Sequence, residues 1–149
     1  MKSWDTTTRG YPSDGTPPVV IDTSALLAIF LGEPERKQFL DRITQAETRL
    51  ISAATVLEAG IVLEARRGEA AGREFDLFLH QAKFDVVPLD VDQVEIARVA
   101  WRKYGRGRHP AALNFGDCFA YALAKTLGEA LLAKGTDFAR TGIEMCKEV

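Results

Sequence analysis

The chain is poor in cysteine and histidine, has no long apolar run, and carries no strong charge of either sign. Cys118 and Cys146 are the only cysteines among 149 residues. Without secretory context, two cysteines read as reduced thiols of a cytoplasmic protein, and a disulfide scaffold is excluded. The two histidines, His80 and His109, lack the spacing of a zinc site. No stretch approaches the roughly 20 apolar residues that a membrane-spanning helix needs. The opening segment, MKSWDTTTRGYPSDGTPP, lacks the apolar core of a signal peptide. A net charge of −2 and a pI of about 5.7 argue against a protein that coats nucleic acid through charge alone, while leaving room for a local basic patch.

What is present is a hydrophobic share of 46%, enough for one core in one domain over residues 19–149. Residues 1–18, rich in Thr, Ser, Gly, Pro and Asp, read as a flexible N-terminal leader. Val19-Val20-Ile21, behind two prolines, reads as a buried strand ending at Asp22. Thr23 or Ser24 then caps a helix over 25–31, and Pro34 suits the first turn of another running to about 46. Further strands are expected at 49–51, 85–88 and 130–133, with a last short one near 143–145. Helices are expected from a Ser52 or Thr55 cap to 67, over 69–82, over 93–104 behind Asp90 or Asp92, and over 118–127 behind Asn114 or Gly116. Strands alternating with helices imply an α/β fold, a parallel sheet with helices on both faces. Such sheets bind ligands at the carboxyl ends of their strands.

Four acids fall at that edge. Asp22 directly follows the first strand, and Asp137 comes a few residues after the fourth. Glu58 lies early in the helix after the second strand, and Asp117 in the first turn of a helix entered from a loop. Each has an ordinary reading of its own: a helix cap, a common helical glutamate, a first-turn aspartate complementing the dipole, a turn residue. Their joint placement is what suggests chemistry. Converging carboxylates raise one another's pKa and destabilise a fold, a cost that a divalent cation removes. Hard oxygen donors favour Mg²⁺, with Mn²⁺ an alternative. Such an ion lowers the pKa of bound water and stabilises the oxyanions of a phosphodiester.

The segments VVIDTSALLAIFLGEPE, SAATVLEAGIVLEAR, YGRGRHPAALNFGDCFAYALAK and LLAKGTDFARTGI resemble PIN-domain proteins, specifically the VapC toxins of bacterial toxin–antitoxin pairs. The resemblance covers nearly all of the chain after residue 18, and LNFGDCFAYALAK followed by LLAKGTDF is its most specific part. It implies a PIN-like three-layer α/β/α fold with a mostly parallel sheet of about five strands. It also implies Mg²⁺-dependent endoribonuclease activity, a VapB-like antitoxin partner and a homodimer. The family's four acids map onto Asp22, Glu58, Asp117 and Asp137, and the hydroxyl of its first motif onto Ser24. All four acidic positions are filled. The leader before Val19 is the one departure.

On this reading Asp22 and Asp117 bind the main metal. Glu58 joins them or orients the attacking water, and Asp137 serves a second metal or supports the first. Ser24 donates a hydrogen bond to a carboxylate or phosphate, and Asn114 supports Asp117 or caps its helix. Arg102, Arg106 and Arg108, with Lys103 and His109, lead into 114–117 and are the candidates for holding RNA phosphates beside the metal. Phe30, Leu31 and Phe39 are candidates for lining an antitoxin groove. Cys118, on a helix rich in Phe119, Tyr121 and Leu123, reads as a core residue. Competing readings fit less well. A phosphatase nucleophile at Asp22 wants an acid two residues on, where Ser24 stands. A receiver wants a phosphorylated aspartate after a middle strand, where Val87-Pro88-Leu89 stands. A non-catalytic binding module would tolerate the loss of acids, and none is lost.

Overall fold

The computed structural model describes residues 17–146, so most of the leader lies outside the described residues. Four short strands, β1 (Val19–Ile21), β2 (Arg49–Ser52), β3 (Phe84–Val87) and β4 (Ala130–Leu132), form one sheet in the order β3-β2-β1-β4. Every pairing is parallel. The helices are α1 (Thr23–Phe30), α2 (Arg36–Gln45), α3 (Ala53–Arg67), α4 (Glu69–Gln81), α5 (Val91–Tyr104) and α6 (Phe115–Leu127).

The two-residue period of the strands sorts their side chains into two cores. Val19, Ile21, Ile51 and Leu132 face one side and pack with Leu26 and Ile29 of α1, Phe39 and Ile43 of α2, Leu63 of α3 and Phe75 of α4. Val20, Leu50, Val87 and Leu131 face the other and pack with Ala97 and Ala100 of α5 and with Ala120, Tyr121 and Leu123 of α6. The result is three layers, α/β/α. Strand β1 lies between β2, reached through α1 and α2, and β4, reached from the far edge through α5 and α6. The chain therefore leaves the β1 neighbourhood in opposite directions, which opens a crevice at the carboxyl end of β1. Asp22 stands there.

Several local expectations change. Among the described residues the sheet has four strands, and 143–145 contributes a single bridge, Leu131 to Met145, behind Gly142 in the left-handed region. Helix α1 begins earlier than expected, with Asp22 as its N-cap, since the Asp22 carboxylate accepts from the Ser24 N–H. Pro34 precedes α2 in a turn. Ser52 caps α3, Asp90 caps α5, and Asn114 caps α6. Phe39 is mostly buried, at 5% exposure, with its remaining edge on a cleft beside Gln38 and Arg42. Phe30 is half-buried, edge-on to Phe75 and Phe78. No described helix is long and apolar enough to cross a membrane.

Candidate active site

The β1–α1 junction fixes the first acid. Asp22 adopts extended backbone as the N-cap, and its N–H donates to Leu132 O at 3.0 Å, which locks the junction to β4. Its Oδ2 accepts from the Ser24 N–H at 3.0 Å. Its Oδ1 is buried and has no hydrogen-bond partner. At 2% exposure, burial pushes the Asp22 carboxyl from 3.8 up to about 7, against the lowering effect of its Ser24 hydrogen bonds; the charges of Asp117 and Glu58 add to the rise.

Glu58 is delivered by α3 and held by two features. The Thr23 hydroxyl donates to its Oε1 at 2.5 Å. Its carboxylate rests on the first turn of α6, in the space a side chain would occupy at Gly116. A Cβ on Gly116 would lie 1.8 Å from Glu58 Oε2 and 2.3 Å from Oε1. Asp117 is the next residue. It forms a reciprocal capping box with Asn114: the Asp117 N–H donates to Asn114 Oδ1 and the Asn114 N–H to Asp117 Oδ2, both at 2.9 Å. Asp117 is also raised, first by burial, against its Asn114 hydrogen bond; Glu58 and Asp137 push it further up and Arg106 pulls it down.

Asp22, Glu58 and Asp117 thus form one electrostatically coupled group. Asp137 joins it only through Asp117. It is exposed, and its side chain caps no backbone group of the short 3₁₀ turn Phe138–Thr141. Ser24 is present with its roles divided. Its N–H holds Asp22, while its Oγ accepts the Lys134 N–H at 2.9 Å, bridging α1 to the loop after β4. Asn114 is a helix cap that also grips Asp117. Of the three arginines, Arg106 is the one whose charge reaches Asp117. Arg102 and Arg108 lie instead around an apolar groove of about 570 Å³ beside Trp101 and Phe115. His109 is spent locally, its Nδ1 accepting from the Ala111 N–H at 3.0 Å. The Cys118 thiol is buried, and burial with the nearby Asp117 charge pushes it up to about 11, which leaves it inert.

Sequence reasoning missed Thr23 and Gly116. In the sequence Thr23 is a candidate cap, yet in the structure it anchors Glu58. Gly116 is a candidate helix start, yet it makes room for the Glu58 carboxylate. A glycine in the second position of a well-capped helix, where it costs up to about 1 kcal/mol of propensity against alanine, was the available signal. Also unforeseen, Lys134 pairs with Glu33 and with Glu35 beside the site.

The donor set suits a hard divalent cation. Each of the three coupled carboxylates spends one oxygen on a local hydrogen bond, and Asp22 Oδ1 is buried without a partner. Their mutual repulsion is what a cation would cancel. Among the described residues, no three acidic, imidazole or thiol side chains stand together as a finished coordination shell. Holding an ion with three carboxylates therefore requires side-chain adjustment at this site.

Comparison with known proteins places this geometry in context. Residues 19–144 match the model of the PIN domain family. Ribonuclease VapC30 of Mycobacterium tuberculosis is 51% identical over 125 residues, covering 84% of this chain and 95% of that protein. A crystal structure of VapC20 of the same organism, described as a sarcin–ricin loop cleaving toxin, superposes with a TM-score of 0.71 at 19% identity, over 87% of this chain and 98% of that one. A toxin–antitoxin complex from Klebsiella pneumoniae contains a chain that superposes at 0.64 with 22% identity, over 88% and 99% of the two. These two structures share the fold.

Proposed function

The chain belongs to the PIN domain family and stands among its VapC ribonucleases, and from that premise we propose that it is the Mg²⁺-dependent endoribonuclease toxin of a toxin–antitoxin pair. The observation that carries the reading is the coupled carboxylate group at the carboxyl end of β1, with the unpartnered Asp22 Oδ1 at its centre. Mg²⁺, when bound, supplies a Lewis acid that makes water a better nucleophile and neutralises charge developing on the phosphodiester. Asp22 and Asp117 hold it. Glu58, tethered by Thr23, either completes the ligand set or orients the attacking water through its other oxygen. Asp137, exposed and coupled to Asp117, serves the outer side of the site.

Arg106 is placed to hold an RNA phosphate near Asp117. The α6 N-terminus adds the positive end of its dipole to the same place. The partner is a VapB-like antitoxin, which silences the toxin in the cytoplasm, and the active form is a homodimer. Residues 19–149 form the catalytic domain.

The test pairs cleavage with neutralisation. Purified protein incubated with total RNA and Mg²⁺ yields discrete fragments. The product of a short neighbouring gene encoding a small DNA-binding protein abolishes that cleavage when added at equimolar ratio. Absence of fragments in every RNA fraction contradicts the ribonuclease assignment. Fragments that persist with the neighbouring product contradict the pairing alone.

A further inference from the structure

The groove on the far side of Asp117 is unused by the chemistry above. One wall is α5, with Trp101 at 43% exposure, and the other is the start of α6, with Phe115 at 79%. Phe115 is two residues before Asp117, so the groove begins where the carboxylate group ends. Three guanidinium groups, on Arg98, Arg102 and Arg108, line it and no carboxylate does, although Arg98 reaches Glu95 on its own helix at 3.8 Å. Arg108 lies over the Trp101 ring, 4.3 Å from the centroid. Phe115 stands edge-on to Phe119 at 4.7 Å, which steadies its ring. The volume of about 570 Å³ falls within the range of small-molecule sites.

We infer that this groove is a base-stacking subsite for single-stranded RNA, which seats a nucleobase next to the scissile phosphate on Phe115 and Trp101 while the arginines hold the flanking phosphates. The inference rests on the ribonuclease reading above and adds to it a place for a base. Exposed aromatic faces beside cationic side chains are the means by which single strands are held without base-pair recognition. The charge pattern favours RNA over a second copy of this chain. A twofold contact centred on the groove sets Arg102 and Arg108 against their own copies, with no carboxylate in the lining to pair them, while Arg98 keeps Glu95 at 3.8 Å. A nucleic acid supplies the missing negative charge.

The experiment uses the full chain carrying Trp4→Phe, which leaves Trp101 as its sole tryptophan, with EDTA to prevent cleavage. A single-stranded octaribonucleotide is titrated while Trp101 fluorescence is followed. Stacking predicts quenching that saturates with binding, and an abasic analogue of the same length that binds without quenching. Phe115→Ala and Phe115→Leu weaken binding about tenfold or more, and Phe115→Trp restores it, because a flat face rather than apolar bulk is needed. Three results overturn the inference. If RNA binds but neither quenches Trp101 nor senses Phe115, the groove is not used although the ribonuclease reading stands. If no RNA binds under any condition, both readings fall. If Phe115→Ala leaves RNA affinity unchanged while sedimentation shows a dimer becoming a monomer, the groove belongs to a second copy of the chain.

Discussion

Asp22→Asn should make the metal-free protein more stable at pH 8, relative to the wild type, than it does at pH 4. The Asp22 carboxyl is raised from 3.8 to about 7 in the folded state, chiefly by burial. The folded chain therefore holds this proton over a range in which the unfolded chain has released it. Stability contributed by this group falls as pH rises from about 4 to 7 and is level above that. At about 1.4 kcal/mol per pKa unit, the penalty reaches roughly 4 kcal/mol at pH 8 and stays below about 1 kcal/mol near pH 4. Asparagine keeps the shape and the acceptor for the Ser24 N–H but cannot ionise. Its buried amide costs about 1–3 kcal/mol at every pH, and this constant cancels when the two pH values are compared. Urea unfolding in EDTA at pH 4 and pH 8 reads the double difference, expected at about 3–4 kcal/mol. Adding Mg²⁺ at 100 times its Kd at pH 8 should return about 2.7 kcal/mol to the wild type and little to the variant. A wild-type-to-variant difference that is the same at both pH values would refute the reasoning.

Three further outcomes follow from the site. Gly116→Ala puts a methyl group where the Glu58 carboxylate rests; since only the flexible end of Glu58 must move, thermal melting should shift by a few degrees at most while RNA cleavage falls by about a hundredfold or more. Thr23→Val keeps a β-branched side chain but removes the hydroxyl that holds Glu58, and cleavage should drop about tenfold through kcat, with Thr23→Ser restoring it, which a purely structural role of the methyl group would not produce. Asn114→Ala breaks the capping box and should cost about 1 kcal/mol, read as a fall in Tm of about 2–4 °C, together with weaker Mg²⁺ binding in calorimetry because Asp117 loses its grip.

The layers of the fold were legible because the strands are short β-branched or apolar runs between helix-spaced segments, as Val19-Val20-Ile21 and Ala130–Leu132 illustrate. The edge carrying the acids followed from topology, since each acid comes just after a strand or at the start of a helix. Helix starts were less legible. Asp, Thr and Ser in succession can each cap, and the choice of Asp22 depended on its side chain turning back to Ser24, a tertiary detail set by the β4 contact at Leu132. The final strand expected near 143–145 is, among the described residues, a single Leu131–Met145 bridge that follows the left-handed Gly142. Gly116 and Thr23 were missed for one reason: their work is done on Glu58, which is 58 and 35 positions away in sequence, and periodicity carries no information about such contacts. Trp101 and Phe115 carried no legible signal, since an aromatic in a helical segment does not by itself tell core from surface; both face solvent beside arginines.

The most direct test of the central claim is RNA cleavage by the purified protein in Mg²⁺ and in EDTA, for the wild type, Asp22→Asn and Asp117→Asn. The account predicts cleavage only by the wild type and only with the metal, with loss of at least about a hundredfold in the other arms. Cleavage that survives both EDTA and the two substitutions would contradict it.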